Sequence, residues 1–199
     1  MNNTSCITDV SNNIVVNVAQ VRQLSPFRYP GGKTWLVPEM RHRVAALRKK
    51  PVYFVEPFAG GAIISLTAAS EDWADKIIFC ELDHMVAAVW HSILEYPDWL
   101  CERITTFDMN LENVRELLDK ESESLNTNEL AFQTIVRNRV QHGGKIAAGA
   151  SLIKVGENGK GILSRWYPQT IVNRIQAISA LRNKLEFVEG DGFDLINEY

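Results

Sequence analysis

Residues 52–70 read Val-Tyr-Phe-Val-Glu-Pro-Phe-Ala-Gly-Gly-Ala-Ile-Ile-Ser-Leu-Thr-Ala-Ala-Ser. Residues 52–56 form a short run of β-branched and aromatic residues, which predicts a strand. Pro57, Gly60 and Gly61 interrupt that run, so a turn is expected over 57–61. The small and aliphatic residues of 62–70 then suit a helix. A second unit follows at once: Lys76-Ile77-Ile78-Phe79-Cys80 repeats the strand pattern, Glu81 ends it, and a helix is expected from there to about residue 96. Two strand-turn-helix units in succession argue for a parallel sheet and an α/β fold.

Outward from this pair, residues 25–33 are turn-forming because Pro26, Pro30, Gly31 and Gly32 break any period. Helices are expected over 34–49, 98–119 and 128–139, with a polar connector at 121–128. From 141 to 160 five glycines (Gly143, Gly144, Gly149, Gly156 and Gly159) oppose regular helix, so a loop or hairpin excursion is expected. Residues 168–183 place Ile171, Ile175, Ile178 and Leu181 on one helical face, and 185–188 read as a third strand.

The chain has 199 residues, 46% of them hydrophobic and 23% charged, which suits one globular domain rather than a disordered or membrane class. Residues 1–23 form a polar leader rich in Asn, with no apolar run long enough for a signal peptide or a membrane span, so a cytoplasmic protein without a membrane partner is expected. Cys6, Cys80 and Cys101 are widely spaced and odd in number, giving neither a disulfide framework nor a zinc site, and the four histidines share no metal-ligand spacing. The net charge of −3 hides an asymmetry: residues 131–184 hold nine Lys or Arg against the single acid Glu157, a local +8, which leaves −11 elsewhere. A basic segment in an acidic protein is the footprint expected for a phosphate backbone, although a solvated basic face gives the same count.

Glu56-Pro57-Phe58-Ala59-Gly60-Gly61-Ala62 lies where the first strand meets a helix. Ligands of doubly wound sheets bind beyond the carboxyl ends of strands, where a glycine turn admits close approach to the backbone. An acid at the end of the second strand, about 20 residues on, can accept from ribose hydroxyls, and Glu81 stands there. Together these point to a nucleoside-containing cofactor without saying which. Gly31-Gly32-Lys33-Thr34 is not a phosphate loop, because Phe27 occupies the position where that motif needs its first glycine.

Four stretches carry a family resemblance. Phe27-Arg28-Tyr29-Pro30-Gly31-Gly32-Lys33 resembles the N-terminal cofactor motif of the phage-type, D12 class, Dam-like DNA adenine-N6 methyltransferases, and Phe54-Val55-Glu56-Pro57-Phe58-Ala59-Gly60-Gly61 resembles their glycine-rich motif. Gly190-Asp191-Gly192-Phe193 is similar to the segment that closes over the cofactor adenine. Gly156-Glu157-Asn158-Gly159-Lys160-Gly161 with Ser164-Arg165-Trp166-Tyr167-Pro168 is similar to the recognition insert. The resemblance implies a Rossmann-like S-adenosylmethionine-dependent methyltransferase fold, a parallel sheet with helices, present in part and carrying a basic DNA-recognition insert. It divides the chain into the leader, a cofactor-binding core of 24–130 and 185–199, and a target-recognition insert of 131–184. S-adenosyl-L-methionine is the implied cofactor and duplex DNA the implied partner. Tyr29 would pack on the cofactor, Lys33 meet its carboxylate, Glu81 hold the ribose and Asp191 accept from the adenine amino group, with Glu56, Pro57, Gly60 and Phe193 completing the site. Arg137, Arg139, Lys145, Lys154, Lys160 and Arg165 are candidates for phosphate contact, one Arg reading a guanine edge. A phage or bacterial origin and a restriction-modification setting are suggested on the same ground.

Adenine N6 is a poor nucleophile, and the family is expected to accept its amino protons with Asp-Pro-Pro-Tyr. None of the seven prolines here is adjacent to another, so the tetrapeptide is absent and no catalytic residue is assigned. The expectation is a truncated chain or fragment with an exposed sheet edge, poorly soluble or reliant on a second polypeptide for the missing part. Two functions stay open: site-specific transfer of a methyl group to adenine N6 in duplex DNA, and a catalytically inactive remnant that binds DNA or cofactor. An RNA or small-molecule methyltransferase fits the basic glycine-rich stretch less well.

Overall fold

The computed structural model of the protein describes residues 20–28, 32–147 and 149–199. Most of the polar leader, Cys6, and Tyr29, Pro30 and Gly31 of the turn-forming segment lie outside the described residues. In chain order the elements are α1 (Val37–Ala45), β1 (Tyr53–Glu56), α2 (Ile63–Ser70), β2 (Lys76–Glu81), α3 (His84–Glu95), α4 (Pro97–Thr106), α5 (Leu111–Leu118), α6 (Thr127–Val140), α7 (Pro168–Ser179), β3 (Leu185–Glu189) and α8 (Gly192–Glu198).

The three strands form one parallel sheet in the order β1-β2-β3, with Phe54 opposite Ile77 and Phe79 opposite Phe187. Side chains alternate across the sheet, so each face draws on alternate residues of every strand. Phe54, Ile77, Phe79, Leu185 and Phe187 pack into the main core. Val55, Ile78, Cys80 and Val188 form a smaller cluster on the opposite face with Leu195 of α8. Central β2 is apolar at four successive buried positions, as a strand covered on both faces requires. At the edge, β1 pairs only with β2 among the described residues, and Tyr53 is half exposed.

The helical layer is capped by side chains the sequence supplies. The Asp83 carboxylate accepts from the Met85 and Val86 N–H groups to start α3, and Asn126 with Glu129 makes a reciprocal capping box on α6. The helix expected over 98–119 is two helices. Phe107 leaves α4 in extended backbone and sets its ring against Phe132 and Trp166, and Asn110 caps α5 by accepting the Asn113 N–H at 2.9 Å.

α6 is buried on every side, packing chiefly on α3, while α7 packs on α4. Within the expected insert of 131–184, residues 131–140 and 168–184 contribute Phe132, Ile135, Val136, Ile171, Ile175 and Ile178 to the same core as α2 and α3. Between them runs the glycine-rich excursion of 141–167, tied at its root by a bridge between Gln141 and Leu152 and returned to the core by Trp166.

Two substitutions test this packing. Phe79 is fully buried between Trp90 and Phe187, so Phe79→Ala is expected to lower the free energy of urea unfolding by about 3–5 kcal/mol. A Cβ added at Gly192 would strike the Pro57 carbonyl and the Phe58 ring, whereas one at Gly190 meets nothing. Gly192→Ala should therefore lower the thermal midpoint, at a cost of about 1–3 kcal/mol, and Gly190→Ala should leave it in place.

Candidate functional site

Beyond the carboxyl ends of the three strands, a cavity of about 770 Å³ opens between the glycine turn, the loop after β2 and the start of α8. One acid organises its floor. The Glu81 Oε2 atom accepts the Gly60 N–H at 2.7 Å, while Oε1 accepts the Leu82 and Asp83 N–H groups, each at 3.0 Å. The Trp90 indole N–H donates to the Gly60 carbonyl at 3.1 Å, and the Ala59 N–H to the Cys80 carbonyl at 2.8 Å, so the turn is pinned over the end of β2. Gly60 and Ala62 both have positive φ, at 53° and 49°. The second is costly for a residue with a Cβ, and it aims the start of α2 at the cavity.

Lys33, in the 3-10 turn Lys33–Leu36, donates to the Glu56 carboxylate at 2.7 Å and to the Phe58 carbonyl. Glu56 is buried at the end of β1 and its other oxygen accepts the Ser65 N–H at 2.9 Å and hydroxyl at 2.5 Å. Glu56 thus does not line the cavity but holds Lys33 and α2 in place. Lys33, Pro57, Gly60, Glu81 and Asp191 all line it. Asp191 caps α8 through the Phe193 N–H at 2.9 Å, and its second oxygen has no hydrogen bond among the described residues. Phe193 is 65% exposed outside the lining, with its ring edge-on to Phe58 at 5.2 Å. Tyr29 falls outside the described residues.

The basic candidates separate. Lys145, Lys154 and Lys160 are exposed on the excursion, and Arg165 lines the cavity. Arg137 and Arg139, also candidates for phosphate contact, are only 6% and 5% exposed. They point inward because α6 is a core helix. Arg137 donates to Gln133 and to the Leu118 carbonyl, and burial pushes its guanidinium down from the ordinary range. Arg139 donates to the Pro26 carbonyl and reaches the cavity from within. Burial, reinforced by the neighbouring charges of Arg174 and Arg28, brings it down to about 10.

Two residues without a motif of their own, Asn138 and Arg174, also shape the site. The Asn138 carboxamide accepts the Arg28 N–H at 2.8 Å and donates to the Arg28 and Gly144 carbonyls at 3.1 and 2.8 Å. It joins the root of the excursion to the segment leading into Lys33. Arg174 donates to the Ser25 carbonyl at 2.9 Å, and Arg28 lines the cavity beside it. Only their contacts with residues more than 100 positions away reveal them.

The cavity therefore offers carboxylate acceptors at Glu81 and Asp191, backbone left open by the glycine turn, and cations at Lys33 and the arginines. Cys80 also lines it, but burial and the acids near it raise its thiol, which stays protonated and unsuited to attack. Among the described residues no His, Cys, Asp and Glu group could hold a metal, and no helix is long and apolar enough to cross a membrane.

No curated protein matches the chain. Residues 29–149, more than half of it, match the family of D12 class N6 adenine-specific DNA methyltransferases. That span takes in the glycine turn, Glu81 and the whole of α6, and the parallel α/β sheet agrees with a Rossmann-like methyltransferase fold. The chain belongs to the D12 class N6 adenine-specific DNA methyltransferase family.

Proposed function

We propose that the chain holds S-adenosylmethionine in the cavity above the sheet and presents it to an adenine of duplex DNA for N6 methylation. The observation that carries the reading is the carboxylate of Glu81 at the end of β2, fixed by three backbone N–H groups beside an open glycine turn. A carboxylate has about four lone-pair sites, so an acceptor remains for ribose hydroxyls. The second Asp191 oxygen suits the adenine amino group, and Phe58 and Leu82 offer half-exposed apolar surface to a flat base.

Residues and cofactor fit in charge as well. Lys33 has three donors, of which Glu56 and the Phe58 carbonyl occupy two, leaving one for a carboxylate. The bound cofactor supplies an electrophilic methyl group on a sulfonium. The chain's own part is to orient: Glu81 and Asp191 fix the nucleoside, the helices exclude water from beneath it, and the exposed lysines of the excursion position the duplex. The acceptors for the amino protons, expected in Asp-Pro-Pro-Tyr, are not among these 199 residues. The proposal thus assigns cofactor capture and DNA positioning to this chain and assigns it no proton-transfer step.

Titration calorimetry with S-adenosylmethionine tests the cofactor half. Lys33→Ala and Glu81→Ala are each expected to weaken binding ~10- to 100-fold, the range for a hydrogen bond to a charged group. No binding by the folded wild-type chain would sink the reading. Duplex binding as a function of salt tests the other half: Lys145→Ala, Lys154→Ala and Lys160→Ala should each weaken binding on any sequence and reduce the slope of log K against log salt by about one. An unchanged slope in all three would remove the excursion from the interface.

A further inference from the structure

Arg28, Arg139, Arg165 and Arg174 line the same cavity as Glu81 and Asp191, and no salt bridge among the described residues engages any of the four. The two acids of the lining are held by backbone, Glu81 by three N–H groups and Asp191 by the Phe193 N–H, and neither forms an ion pair among the described residues. Arg139 is buried, and its Nε has no hydrogen-bond partner. Arg139 and Arg174 each anchor one amino group on a backbone carbonyl, of Pro26 and Ser25 respectively, which holds the rest of each guanidinium in place. Burying the Arg139 guanidinium, with the charges of Arg174 and Arg28 beside it, costs free energy unless an anion offsets it, and its depressed pKa reflects burial first and those neighbours second.

We propose that Arg28, Arg139, Arg165 and Arg174 form a receptor for a single phosphodiester, the one flanking a DNA nucleotide whose base is drawn into the cavity. The proposal rests on the DNA reading above. A base methylated on an exocyclic amine must leave the stack, and its phosphate follows it toward the pocket. Planar guanidiniums pair bidentately with phosphate oxygens, which accept and never donate. Tyr167 and Thr170 line the same cavity and bring hydroxyl groups as neutral donors to it. Lys33, neutralised by Glu56, supplies the cation for the cofactor carboxylate, so the arginines are left for a second anion. The same oxyanion chemistry has one other source, the cofactor carboxylate itself, and the test separates the two.

The probe is a short duplex with one adenine opposite an abasic site, made with an ordinary backbone, with a neutral methylphosphonate flanking that adenine, or with one placed far from it. Binding is read by fluorescence anisotropy for the wild-type chain, Arg165→Gln and Arg174→Gln. The wild type should lose about tenfold on the flanking methylphosphonate and nothing on the distant one. Each variant should lose about tenfold on the ordinary duplex and little more when the flanking phosphate is neutral. Losses that simply add in both variants would overturn the phosphate site. The Arg165 side chain makes no hydrogen bond among the described residues, so its variant keeps the test open if Arg174→Gln unfolds. S-adenosylmethionine and 5′-methylthioadenosine, which lacks the carboxylate, are titrated in parallel. Both should bind the variants as they bind the wild type, and weakening confined to S-adenosylmethionine would assign the arginines to the cofactor and overturn the proposal. A folded wild type that binds no duplex would reject the DNA reading and this site together, whereas duplex binding indifferent to the flanking phosphate would reject the site alone.

Discussion

The bond between the Gly60 N–H and the Glu81 carboxylate joins the two strand-turn-helix units at a turn where Gly60 and Ala62 both take positive φ. Such a turn persists only where its surroundings over-determine it. Here Glu81 holds the N–H of Gly60, Trp90 holds its carbonyl, and the Cys80 carbonyl holds Ala59. Trp90 in turn sits edge-on to Phe79 and Phe27, so the strained turn, the central strand and the N-terminal segment share one aromatic cluster.

A surface ion-pair cluster and the site occupy opposite ends of the sheet. At the amino ends of the strands Asp72 bridges Lys50 and Lys184, the residues leading toward β1 and β3, and these two ammonium groups hold its carboxyl down to about 2. That cluster is exposed at the surface, where ion pairs contribute little. At the carboxyl ends the polar groups are buried or half-buried and nearly all engaged by backbone: Glu56 by Ser65, Asn138 by Arg28 and Gly144, Arg174 by Ser25. Interactions of this kind fix geometry, because removing one partner leaves the other unsatisfied.

The sequence made the sheet and the acid of the site legible for a local reason. Strand, glycine turn and helix follow within 19 residues, and Glu81 is placed by counting from the turn. The arginines of α6 were not legible in the same way. Counting charge treats every guanidinium as solvated, and Arg137 and Arg139 sit on a helix whose polar residues find partners in distant backbone, at Leu118 and Pro26. Those partners are set by tertiary packing of α6 against α3, which no periodicity on α6 announces. The break after α4 was closer to the surface of the sequence: Asn110 and Asn113 have the spacing of a cap, but the turn at Phe107 depends on the ring of Phe132 waiting 25 residues later.

The Asn138 carboxamide has one more implication, which concerns how such a protein changes over evolutionary time. By clasping Gly144 and Arg28 at once, it fixes the root of the excursion to the wall of the cavity, and the excursion returns to that wall at Arg165 and Tyr167. The exposed positions between these two anchors, Lys154 and Lys160 among them, can be replaced or lengthened while the glycine turn and its acid keep their geometry. Under the proposed function, preference for one DNA sequence over another then becomes a removable part, inherited separately from the machinery that holds the methyl donor.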